Sequence, residues 1–265
     1  MEILRVQDLS FRYPGAERDT LHKLSFEVPS GAFILLCGES GCGKSTLLKL
    51  LKRELAPFGE KSGDILYEGV RQQDMDDREA AAGIGFVQQN PENQVVTDQV
   101  WHELAFGLES LGYSTPVIRR RVAEMASYFG IQEWFRKSTS ALSGGQKQML
   151  SLASVMAMQP KLLLLDEPTS QLDPIAASEF ITTLQKLNRE LGLTILLAEH
   201  RLEELFPIAD RVLVLEEGSA AVYDHPENVA ARLQGIRRNH ACSPPCQAPS
   251  AFRGAFGRSA LPAHR

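Results

Sequence analysis

An α/β fold is predicted, with a parallel sheet at its centre, an antiparallel β-rich cap and a helical insertion. Three observations predict it. The run Phe33-Ile34-Leu35-Leu36-Cys37 is apolar without interruption, so a strand there needs cover on both faces; a glycine-rich turn and a helical pattern follow it directly; and further short apolar runs later in the chain are separated by helical stretches. With 265 residues, 43% of them hydrophobic and 23% charged, the chain can bury a full core as one large domain or two modest ones. Disorder and a fibre are thereby excluded as its main state.

Taken in order, Ile3, Leu4, Val6, Leu9, Phe11 and Tyr13, then Leu21, Leu24, Phe26 and Val28, alternate around Pro14-Gly15, which predicts an antiparallel hairpin over residues 1 to 31. Residues 32 to 56 read as a buried strand, a turn over Gly38 to Gly43, and a helix from Ser45 to Leu55 with Leu47, Leu48, Leu50 and Leu51 on one side. This is half of a βαβ unit. From about 100 to 158 the period is helical, with one helix over Arg119 to Phe129 and another from about Gly144 to Met158. Strands follow at Leu162 to Leu165, Leu193 to Ala198 and Arg211 to Leu215. After about Gly235 the chain turns to Pro, Ser and Arg without period, and the tail over 236 to 265 is expected to be disordered.

Composition excludes several function classes. No stretch of 18 or more uncharged apolar residues occurs, so a membrane span is not expected, and Met1-Glu2-Ile3-Leu4-Arg5 lacks the shape of a signal peptide. Four cysteines, Cys37, Cys42, Cys242 and Cys246, are too sparse for a disulfide framework, so reduced thiols and a cytosolic location are expected. His240, Cys242 and Cys246 space as H-x-C-x₃-C but lack a fourth ligand, and a metal site is not expected there. Net charge is −5, and the five arginines of the tail leave about −10 on the rest. An acidic body is poorly suited to neutralising a duplex.

Three motifs carry chemistry. Gly38-Glu39-Ser40-Gly41-Cys42-Gly43-Lys44-Ser45-Thr46 fits G-x-x-x-x-G-K-[ST] between a buried strand and a helix, the context in which backbone N–H groups and a helix N-terminus cradle a triphosphate. Lys44 adds charge at the β and γ phosphates, and Ser45 offers a hydroxyl to Mg²⁺. A glycine turn without ligand is the bland alternative. In Leu162-Leu163-Leu164-Leu165-Asp166-Glu167 two carboxylates leave the C-terminal end of a central strand, where open parallel sheets place ligands. Asp166 is assigned to the Mg²⁺ shell and Glu167 to polarising an attacking water, against an ordinary strand-end turn before Pro168. In Leu142-Ser143-Gly144-Gly145-Gln146, Ser143 is a good N-cap beside two glycines, a second anion site or a capped loop with no ligand. Two such termini in one chain are explained if two chains face head to tail, each γ-phosphate lying between the loop of one and the Ser-Gly-Gly of the other.

The order Gly38 to Thr46, Gln89, Leu142 to Gln146, Leu165 to Pro168, Ser170 to Asp173 and His200 resembles the nucleotide-binding subunit of ATP-binding cassette (ABC) transporters over nearly all of residues 1 to 235. The resemblance implies a P-loop NTPase (RecA-like) core with an antiparallel β subdomain and a helical insertion subdomain over about 90 to 158. It implies that Tyr13, or less plausibly Phe11, stacks on adenine, and that Gln89 meets Mg²⁺ and the attacking water. It also implies that Ser143, Gly144, Gly145 and Gln146 cap the partner's nucleotide, that Asp173 lies on a loop crossing between two ATP sites, and that His200 contacts the γ-phosphate and helps hold Glu167 and water in line. Gln88 stands where the family commonly has an aromatic, so the choice between Gln88 and Gln89 rests on the Asn90-Pro91 that follows. His22, His102 and His225 receive no role.

A narrower likeness, in Val87-Gln88-Gln89-Asn90-Pro91-Glu92-Asn93-Gln94 and Glu103-Leu104-Ala105-Phe106-Gly107, is to the ATPases of energy-coupling factor importers, and Ala198-Glu199-His200-Arg201 is similar to tandem ATPases of thiamine-precursor uptake. What these imply is an ATP- and Mg²⁺-dependent ATPase subunit peripheral to the cytoplasmic face of the cell membrane, energising uptake of a vitamin, a vitamin precursor or a transition metal ion. Its partners would be integral membrane transporter subunits and a second ABC ATPase chain, identical or related, with no nucleic acid. Exposed apolar residues among Val95, Val96, Trp101 and Phe106 would receive a coupling helix. The alternative is a non-transport ABC ATPase acting on nucleic acid or ribosomes; neither heptads nor a second phosphate loop accompanies it here. A regulatory module that binds ATP without hydrolysing it is disfavoured by the presence of both Glu167 and His200.

Overall fold

The computed structural model describes residues 1–200 and 202–231. The tail from 236 to 265, with His240, Cys242 and Cys246, lies outside the described residues. Two sheets organise the described residues. A six-stranded sheet runs in the order β10 (Ser219–Asp224), β9 (Arg211–Glu216), β3 (Phe33–Gly38), β8 (Thr194–Ala198), β7 (Leu162–Asp166), β6 (Ile84–Val87), parallel throughout except for the edge strand β10. The second sheet is antiparallel, in the order β2 (Leu21–Pro29), β1 (Glu2–Arg12), β4 (Glu60–Tyr67), β5 (Val70–Arg71).

Alternation along the parallel strands sorts the core into two layers. Ile34, Leu36, Leu162, Leu164 and Leu196 face helix α1 (Lys44–Leu51) and the antiparallel sheet. Phe33, Leu35, Leu163, Leu165, Ile195 and Leu197 face α5 (Gly144–Ala157) and α6 (Pro174–Leu191). Every residue of β3, β7 and β8 is buried, as continuous apolar strands with both faces covered require. A third cluster sits within the helical insertion, where α3 (Val100–Ser110), α4 (Thr115–Tyr128) and α5 bury Leu104, Leu108, Val122, Leu150 and Trp134. Trp134 is thus a core residue.

Where the observed elements depart from expectation, the reasons are local. The first helix ends at Leu51 rather than Leu55, and Arg53–Leu55 form a separate 3₁₀ turn. Lys52 is extended there, and its buried ammonium donates to the carbonyls of Ala80 and Ala81 in α2 (Asp77–Gly83), a favourable place for a cation at a helix C-terminus. Strand β4 carries the turn-like stretch Lys61-Ser62-Gly63-Asp64. Gly63 (φ +86°) lets it approach an irregularity in β1, since a Cβ there would lie 2.4 Å from the Asp8 carbonyl oxygen. Strand β6 has four residues and a glycine; a Cβ at Gly85 would meet Val155 Cγ1 at 2.5 Å, so α5 packs close against the strand.

Candidate active site

The C-terminal ends of β3, β7 and β8 are adjacent, and the candidate residues gather there. The loop after β3 bends through Gly41 (φ +82°) and Gly43 (φ +105°), conformations that favour glycine. At Gly43 an added Cβ would also meet Leu21 Cδ2 at 2.7 Å, and at Gly38 it would meet the Leu215 carbonyl oxygen at 2.3 Å. A side chain at either position therefore forces the loop or its neighbours to shift. Lys44, 4% exposed, arches over the loop and donates to the carbonyls of Gly38 (2.9 Å) and Glu39 (3.1 Å). The loop therefore holds a cation on its inner side where α1 begins, an arrangement suited to phosphate oxygens.

Ser45, in the first turn of α1, donates its hydroxyl to Asp166 Oδ1 at 2.9 Å. Asp166 is 8% exposed. Burial pushes its carboxyl above the usual range, the Ser45 hydrogen bond opposes that, and neighbouring Glu167 adds to the rise. A hydroxyl and a hard carboxylate oxygen side by side, beside a phosphate loop, are the donor set Mg²⁺ takes. Cys37 and Cys42 are free and buried, and burial pushes the Cys37 thiol up to about 12.

Glu167 begins the turn after β7 with φ +47°, and its N–H donates to the Ala198 carbonyl at 2.9 Å. Its carboxylate receives Gln89 Nε2 at 3.2 Å on Oε2 and lies 2.8 Å from His200 Nε2 on Oε1. Two residues from two other loops thus converge on one carboxylate. Between the two glutamines, Gln89 is the one whose side chain reaches Glu167; Gln88 is held through its backbone, its N–H by Gln94 Oε1 (2.9 Å) and its carbonyl by Gln148 Nε2 (3.1 Å). Gln94 also donates to the Phe86 carbonyl at 3.0 Å, so one side-chain amide pins the exit from β6.

Tyr13 is 37% exposed, and its hydroxyl lies 3.1 Å from Thr46 Oγ1, which hangs the ring beside the start of α1. Phe11 is 1% exposed and meets Tyr13 edge to face, so it packs the core and offers no free face to a base. Ser143 caps α5 in a reciprocal box, accepting from Gln146 N–H (3.3 Å) while Gln146 Oε1 accepts from Ser143 N–H (3.0 Å). Ser143 and Gly144 are exposed, and space around Gly144 is open. Asp173 caps α6, accepting from the N–H groups of Ile175 and Ala176 at 3.0 Å each.

One contact set escaped the sequence reading. Glu199, 2% exposed, accepts from Thr169 N–H (3.0 Å) and Thr169 Oγ1 (2.5 Å) on one oxygen and from His200 N–H (3.0 Å) on the other. An acid directly after the apolar run Ile195-Leu196-Leu197-Ala198 was the available signal.

On the insertion, Val96, Trp101 and Phe106 are 62%, 43% and 44% exposed, beside an open groove of about 570 Å³ lined by Val96, Asp98, His102, Phe106 and Glu109 among others. No helix among the described residues is long and apolar enough to cross a membrane.

Residues 21–170 match the family model described as ABC transporter. A provisionally named ABC transporter ATP-binding protein of Bacillus anthracis is 47% identical over 233 residues, 88% of this chain and 42% of that protein. One of Methanosarcina acetivorans is 34% identical over 238 residues, 90% of this chain and 72% of that protein. The chain spans about two fifths of the length of several such curated relatives. Among solved structures, cbiO1 from Clostridium perfringens, part of the ABC transporter complex cbiONQ, superposes with a TM-score of 0.78 and 31% identity over 91% of this chain and 95% of that one. The ATP-binding cassette MJ0796, in a dimeric post-hydrolysis state with ADP and Pi, superposes with a TM-score of 0.72 at 24% identity over 84% and 98%, a likeness of fold.

Proposed function

From the premise that this chain belongs to the ABC transporter family of ATP-binding domains, we propose that it binds ATP between two cassettes, hydrolyses it at Glu167, and so drives a membrane importer of the energy-coupling factor type. The observation that carries the reading is the convergence of Gln89 and His200 on the Glu167 carboxylate, next to Ser45 and Asp166 at the ends of the parallel strands.

Each residue then has a chemical task. Lys44 and the loop N–H groups bind the phosphates, and Tyr13 offers its face to the base. Ser45, Asp166 and Gln89 would hold Mg²⁺, which supplies charge neutralisation at the β and γ phosphates. Glu167 accepts a proton from water as the water oxygen bonds to the γ-phosphorus and the bond to the bridging oxygen breaks. Gln89 and His200 keep the carboxylate aimed. Ser143 with its glycines closes the site from a second cassette, and Asp173 stands on the segment between the two sites.

The importer subtype is supported by the run Asn90-Pro91-Glu92-Asn93-Gln94, whose last residue closes the loop that carries Gln89. Its cargo would be a vitamin, a vitamin precursor or a transition metal ion, recognised by membrane subunits, with this chain peripheral on the cytoplasmic face. Phosphate release from ATP tests the enzyme. Glu167→Gln should still bind ATP and accumulate as an ATP-dependent dimer while turnover falls by about 10²–10⁴-fold; normal turnover would remove Glu167 from its role. Co-purification of membrane subunits tests the transport assignment.

A further inference from the structure

Glu199 closes a ring. From Glu167 the chain passes through Pro168 to Thr169, whose N–H and hydroxyl donate to one Glu199 oxygen; the other Glu199 oxygen receives the His200 N–H, and the His200 imidazole returns to Glu167. The Glu199 N–H in turn donates to the Leu36 carbonyl, 3.3 Å away on the strand that leads into the phosphate loop. The buried carboxylate therefore ties together the turns that follow β7 and β8, while the backbone of the same residue reaches β3. Glu167 needs such a tie, because its left-handed φ of +47° is sparsely populated for a residue with a side chain and persists where surroundings enforce it. Three donors converging on two oxygens also require a carboxylate: an amide would turn an N–H toward at least one of them.

We propose that Glu199 is a positioning residue for ATP hydrolysis, holding the His200 imidazole at its place against Glu167. This rests on the role of Glu167 and His200 given above. The test compares Glu199→Gln in the wild-type and His200→Ala backgrounds, measuring kcat and KM for ATP together with equilibrium nucleotide binding. In the wild-type background kcat should fall about 10- to 100-fold while KM and nucleotide affinity stay within about twofold. With alanine at 200 the same substitution should change kcat by less than about twofold, since the group it positions is gone. Thr169→Val, which removes a single donor, should follow the same pattern with a smaller, severalfold drop, and it decides the matter if Glu199→Gln fails to fold. An unchanged kcat in the wild-type background, or an equal drop in both backgrounds, overturns the inference. If His200→Ala itself hydrolyses ATP at the wild-type rate, the assignment of His200 falls first and the positioning role with it.

Discussion

Keeping Asp166 charged in its buried place costs the folded chain free energy. Because burial raises its pKa, the folded state holds that proton more tightly than the unfolded state does. Its destabilising contribution is absent below the ordinary carboxylate range and grows as pH climbs from there through the raised value. Asp166→Asn keeps an oxygen for Ser45 and removes the charge, so at neutral pH the nucleotide-free chain should melt higher, on the order of 2–4 °C. The gain should shrink in acid, and Mg²⁺-dependent hydrolysis should be lost. Thermal melts across pH 4 to 8 check the sign; a variant that melts lower at every pH contradicts it. Residues of this kind were legible in the sequence because carboxylate, lysine and hydroxyl types follow from the chemistry of a triphosphate. Glu199 and Gln148 were not, because Thr169 and the Gln88 carbonyl come near them only through tertiary packing.

Among the elements, the loop between β3 and α1 tolerates least. Gly43→Ala meets both a positive φ and the Leu21 side chain, so stability should fall by more than about 1 kcal/mol and nucleotide affinity with it. Urea denaturation and nucleotide titration measure the two. Gly41→Ala separates the effects, since its added Cβ meets open space and only the φ penalty remains, about 1–2 kcal/mol. Element type was readable wherever apolar residues repeat, as in β3, β7 and α5. It was unreadable in β4 and β6, where glycines let strands approach a bulge or a helix, contacts that exist only once both partners are placed. The end of α1 was misplaced for a similar reason: Lys52 leaves its own helix to serve the end of another.

In the molecule as a whole, two exposed aromatic residues, Trp101 and Phe106, stand on helix α3 of the insertion. Trp101→Glu combined with Phe106→Glu should abolish recruitment to membranes containing the partner subunits, with ATP affinity within about twofold of wild type. Flotation with such membranes gives the answer, and retained recruitment would assign docking elsewhere. The order of strands has a further consequence, one of timing. The strand that feeds the phosphate loop is flanked by strands beginning at Thr194 and Arg211, so both neighbours are synthesised long after it. A ribosome must pass both of these strands before the sheet around the loop is complete, and such distant pairing makes folding slow. Any nascent fragment ending before Thr194 has the motif but neither of the strands that flank its seat.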